Sequence, residues 1–69
     1  MSHRWIAIFY DATGLPRAWG IATDESRVKA MNEAEAIAKR ELETYRKEHS
    51  DRQEPFKLRV RRFPDSFIT

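Results

Sequence analysis

The sequence predicts one small α+β domain of order β-β-β-α-β. It forms a single mostly antiparallel sheet (strand order 3-2-1-4) with one helix packed on one face. Three observations lead there. An aromatic and β-branched run, Arg4 to Tyr10, is followed by a glycine-containing loop and a second run of similar kind. A stretch of helical periodicity comes next, with a capping sequence near its head. A last run alternates apolar and basic residues with period two.

The first strand spans residues 4–10, RWIAIFY. Its two faces are Ile6, Ile8, Tyr10 and Trp5, Ala7, Phe9. Both are apolar, which places this strand at the centre of the sheet, covered on each side. Asp11 to Pro16 is the hairpin loop, with Gly14 free to take positive φ and Pro16 stiffening the exit. Residues 17–23, RAWGIAT, form the return strand, in which Gly20 marks either a bulge or a close approach of backbone.

Two readings compete for the next stretch. In the first, Asp24-Glu25 is a tight turn, residues 26–30 are a third short strand, and the helix runs over about 33–49. Asn32-Glu33-Ala34-Glu35 fits a capping box, Met31 sits where a hydrophobic staple belongs, and Arg27 to Ala30 alternate with period two. In the second, a longer helix begins near Thr23 or Asp24 and the order is β-β-α-β. The first is preferred. Ala34, Ile37, Ala38, Leu42 and Tyr45 then share the buried face, acids lead the helix and bases end it. Ser50 to Glu54 is a polar loop closed by Pro55. Residues 56–63, FKLRVRRF, are the last strand, expected to return parallel beside the first by a right-handed crossover. Phe56, Leu58 and Val60 point to the core, and the alternation slips at Arg62-Phe63. Residues 64–69 are a short tail.

A meander, a capped amphipathic helix and a returning strand resemble the HicB-like antitoxin domain, a truncated RNase H-like arrangement. The likeness rests on Trp5 to Tyr10, on the loop with Gly14 and on Val28 to Ile37. It covers about the first 45 residues and implies the architecture, without assigning functional residues. Ala22-Thr23-Asp24-Glu25 stand where the family carries a Pro-Asp-Leu-Pro-Gly-type segment, and no helix-turn-helix or ribbon-helix-helix module is legible.

Composition narrows the function. The 69 residues leave room for one domain with a thin core. No cysteine means no disulfide, thiolate nucleophile or cysteine-held metal. The longest apolar run, Trp5 to Tyr10, is far short of the roughly 20 residues of a membrane span. No secretory signal is legible at Met1-Ser2-His3-Arg4, so a cytoplasmic protein is expected. Two glycines cannot build a phosphate cradle, and neither a Walker motif nor a dinucleotide fingerprint is present. His3 lies near the N-terminus, and His49 at the helix end suits the dipole there. Asp11 is the only acid within the first strand pair, too few for a nuclease-type carboxylate cluster. No enzyme, cofactor or metal is expected.

The net charge of +2 is concentrated at the C-terminal end, where Lys57, Arg59, Arg61 and Arg62 face only Asp65. With Phe56, Leu58 and Val60 toward the helix, Lys57, Arg59 and Arg61 lie on the second face of the sheet. The central strand must supply either Trp5 and Phe9 or Ile6 and Tyr10 beside them, and Trp19 can join. The candidate partner surface is Trp5, Phe9, Trp19, Lys57, Arg59 and Arg61. The expected function is a non-catalytic interaction or regulatory module, homodimeric through this open face. The alternative is a regulator that binds RNA or single-stranded DNA on interleaved rings and cations. A third reading has the basic edge strand merely discouraging stray strand pairing. Phe67 and Ile68 in the tail could cover part of the surface or insert into a partner.

Overall fold

The computed structural model describes residues 2–51 and 55–63. Its elements are β1 (His3–Tyr10), β2 (Pro16–Asp24), α1 (Arg27–Glu48) and β3 (Lys57–Arg62). The three strands form one sheet in the order β2-β1-β3, and both pairings are antiparallel. The α+β class and the central place of the first strand are as expected. The expected tail, 64–69, and residues 52–54 of the polar loop lie outside the described residues.

The hairpin follows its residue types. Gly14 donates its N–H to the Asp11 carbonyl at 3.0 Å, closing a four-residue turn with Asp first and Gly last. Gly14 has φ of 87°, which an L side chain would resist. The Asp11 N–H donates to the Leu15 carbonyl at 2.9 Å and joins the turn to the ladder. The register slips between Phe9 and Tyr10, whose partners are Ala18 and Pro16. Arg17, the extra residue of this bulge, turns to the helix side. Its guanidinium lies 5.9 Å from the centre of the Tyr45 ring.

The longer helix is the one observed, and the expected strand over 26–30 is not formed. Ser26 is the N-cap: its hydroxyl accepts from the Lys29 N–H at 3.4 Å, while its own N–H donates to the Asp24 carboxylate at 2.8 Å. The physical reason lies in Ala30, which is fully buried in line with Ala34, Ala38 and Leu42 on one face of α1. A strand over these residues would forfeit that contact. Asn32 is therefore an exposed residue inside the helix, and Met31 is half-buried rather than a staple. The first turn carries no acid, while Arg46 and Lys47 do occupy the last. Losing one strand also reverses the last, so β3 runs antiparallel to β1 instead of parallel.

The core is built from small side chains. Ala7, Ala30, Ala34 and Ala38 have no exposed surface, and Phe9, Ala18, Ala22 and Leu42 complete it. Gly20 is the point of closest approach. A Cβ placed there would lie 2.6 Å from the Ala34 carbonyl oxygen and 2.7 Å from the Ala38 nitrogen. Gly20 thus marks a close approach of backbone and not the bulge. Trp5, Phe56, Leu58 and Val60 pack around this centre. At the helix end, the Tyr45 ring meets Phe56 edge-on at 5.8 Å and His49 at 4.5 Å. Among the described residues, no helix is long and apolar enough to cross a membrane.

Candidate functional site

Strand register assigns every side chain of the sheet to a face. Trp5, Ala7 and Phe9 stand beside Ala22, Gly20 and Ala18 on one side and Arg62, Val60 and Leu58 on the other. This is the helix face. Ile6, Ile8 and Tyr10 alternate with them and point the opposite way. Their neighbours are Ile21 and Trp19 on β2 and Arg61, Arg59 and Lys57 on β3.

The choice between the faces is a matter of volume. A helix lined with Ala30, Ala34 and Ala38 seats closely only on small residues, and Ala18, Gly20 and Ala22 with Ala7 provide them. The other face carries isoleucines and a tryptophan in the same rows. Trp5 and Phe9 are therefore corrected from the candidate surface to the core: Phe9 is buried, and Trp5 packs against the buried cluster. The Arg27 guanidinium covers the Trp5 ring at 5.6 Å. Trp19, Lys57, Arg59 and Arg61 do come together on the open face, all exposed. Ile6 and Tyr10, the other pair the sequence offers, take the place of Trp5 and Phe9, and Ile8 and Ile21 join them. The alternation of small and large residues in Ala18-Trp19-Gly20-Ile21-Ala22 was the signal that could have found them.

The open face has a regular layout. Arg61, Ile6 and Ile21 form one row across the strands; Arg59, Ile8 and Trp19 form the next; Lys57 beside Tyr10 begins the third. Each row has a cation on the β3 edge and an apolar surface beside it. Trp19 is 52% exposed and Ile21 43%, while Ile6, Ile8 and Tyr10 are half-buried by their neighbours. Arg4 lies at the far end and donates to the Thr23 hydroxyl at 3.3 Å. Among the described strand residues, every charged side chain on this face is basic. A groove of about 600 Å³ runs from Asp11 and Gly14 past Tyr10 to Lys57, Arg59 and Arg61.

Asp11 borders this groove, yet its carboxylate is committed to the hairpin. One oxygen accepts from the Thr13 hydroxyl at 2.6 Å and from the Thr13 and Leu15 N–H groups at 2.9 and 3.0 Å. The other accepts from the Arg17 Nε at 2.7 Å. The Thr13 hydroxyl and Arg17, joined by the two amides, hold its carboxyl far below the usual carboxylate range, against the opposing effect of burial. It stays ionised and already bonded, an anchor for the loop and not a partner for the cations of β3.

No family model matches the chain, and comparison with curated proteins and with solved structures gives no match either.

Proposed function

We propose that this chain is a small, non-catalytic cytoplasmic interaction module whose working surface is the open face of the sheet. The observation that carries the proposal is the row of apolar side chains, Ile6, Ile8, Tyr10, Trp19 and Ile21, that no other described element covers. Apolar surface of this kind, bordered by polar residues, marks interaction sites on small domains. The committed state of Asp11 supports a non-catalytic role, since its lone pairs already serve the loop.

A second copy of the chain is one reading of the occupant, favoured by the aliphatic pair Ile6 and Ile21, which face each other across the two strands. Single-stranded nucleic acid is the other.

The proposal makes a claim about stability that needs no knowledge of the partner. Residues kept apolar for a partner contribute little to the folded monomer, so Trp19→Thr and Ile21→Thr should leave the melting temperature of dilute protein within about 2 °C of wild type. A fall of 8 °C or more, the equivalent of about 1–2 kcal/mol, would mean that the face is part of the monomer's own core. The proposal would then fail.

A further inference from the structure

We infer that the open face takes an extended single strand of nucleic acid, its phosphates along β3 and its bases across β1 onto β2. This rests on the open face being the docking surface, as proposed above.

Charge decides between the two occupants. An isologous dimer sets a patch against its own copy. Here that contact would gather two sets of Arg4, Lys57, Arg59 and Arg61 in one interface, with no acid among the described strand residues of the face to offset them. A polyanion has the complementary charge.

Spacing and shape narrow the polyanion. Lys57, Arg59 and Arg61 are alternate residues on one strand, so successive cations are about 6.6 Å apart. That lets successive cations meet successive phosphates of one strand, and the choice of single strand over duplex rests on the rings. Crossing from β3 to β2 spans two inter-strand gaps of about 4.8 Å each. A base whose phosphate sits on Arg59 therefore reaches over Ile8 to the half-exposed Trp19 ring in the same row. Tyr10 offers a second ring beside Lys57. Rings that receive bases need them unstacked, which a duplex does not supply.

The experiment is fluorescence anisotropy of a labelled, mixed-sequence single-stranded RNA, and of the matching DNA, titrated with the full chain from low to high salt. The expected result is saturable binding to one or both strands. The logarithm of affinity should fall against the logarithm of salt with a slope of about −2, as three phosphate contacts on a single strand require. Trp19→Ala should weaken binding about 5- to 160-fold, the loss of one stacked base. Arg59→Glu with Arg61→Glu should abolish it, while Trp5→Phe, on the opposite face, should not change it. Circular dichroism of each variant confirms that a loss of binding is not a loss of fold.

Three binding results overturn the inference. Equal affinity for inorganic polyphosphate, with no effect of Trp19→Ala, reduces the site to a plain cationic patch. Preference for the duplex contradicts the unstacked strand. Absence of binding at low salt removes nucleic acid altogether. In that last case, concentration-dependent dimerisation broken by Ile21→Lys would leave the docking reading standing with a second copy as its occupant. A collapse of stability in the Trp19→Thr and Ile21→Thr variants would remove both.

Discussion

The Ala34 carbonyl oxygen occupies the space where Gly20 would carry a side chain, 2.6 Å from an ideally built Cβ. Ile37 Cβ and the Ala38 nitrogen stand at 2.6 and 2.7 Å on either side of it. Two of these three obstacles are helix backbone, which cannot rotate away. Helix and sheet therefore touch through backbone at this point, and the depth of the alanine core follows from it.

Gly20→Ala should accordingly destabilise the protein even though alanine suits a strand better than glycine. Forcing a methyl group into packed backbone costs about 1–3 kcal/mol, which for a domain of this size lowers the melting temperature by about 4–24 °C. Thermal unfolding followed by circular dichroism measures this. An unchanged midpoint would show that α1 can lift from β2 without loss.

The contact also explains which parts of the fold were legible in advance. The β1–β2 hairpin, the positive φ of Gly14, the buried helix face from Ala34 to Tyr45 and the central place of β1 all follow from local residue types and periodicity. The start of the helix does not. Val28 is 64% exposed, so the alternation of Arg27 to Ala30 imitates a strand whose apolar residues have no common side to face. Asn32 and Glu35 imitate a capping box, while the real cap, Ser26, lacks the glutamate three residues on that would advertise it. The face of β1 that meets the helix was equally hidden, because Trp5-Ala7-Phe9 and Ile6-Ile8-Tyr10 are both apolar. Only the fit between Ala18-Gly20-Ala22 and Ala30-Ala34-Ala38 separates them, and that is a relation between distant segments. The candidate site was half legible for the same reason: the β3 cations and Trp19 could be read from the alternation, and the choice between Trp5 with Phe9 and Ile6 with Tyr10 could not.

The position of the cap gives a paired prediction. Ser26→Ala removes the hydroxyl that accepts from the Lys29 N–H, and at 3.4 Å on an exposed turn the loss should be small, about 0.5 kcal/mol. Asn32→Ala should instead be neutral or stabilise by a few tenths of a kcal/mol, since alanine is the better residue inside a helix. Urea denaturation of the two variants distinguishes them. The opposite ranking would put the helix start at Asn32.

Asp11 makes the hairpin sensitive to acid. Its folded pKa lies well below the unfolded value of about 3.9, so the folded state favours the ionised form. The resulting stabilisation is fully present above the unfolded pKa, declines as pH falls below about 4, and is lost through the folded pKa. Asp11→Asn removes this dependence. The variant should be less stable than wild type at pH 7, and the gap between them should narrow on titration towards pH 2. Melting curves at a series of pH values test it, and a gap that stays constant would assign the acid sensitivity to other groups.

The two tryptophans report on the two faces. Trp5 lies beneath Arg27 and against the core, with its indole Nε1 buried and unpaired, whereas Trp19 stands half exposed on the open side. Trp19→Phe leaves Trp5 as the only indole, and its emission should be blue-shifted and poorly quenched by acrylamide. Trp5→Phe leaves Trp19, with red-shifted emission and strong quenching. Alanine at the two positions should separate them in stability for the same reason. Trp5→Ala would open a gap beside Ala7 and Ala22 and cost about 2–4 kcal/mol, while Trp19→Ala should cost less than about 1 kcal/mol. Trp5→Phe keeps the ring and discards a buried donor that has no acceptor, so it should cost little. Equal quenching of the two indoles would contradict the assignment of faces, and with it the placing of Trp19 on the face that carries the cations of β3.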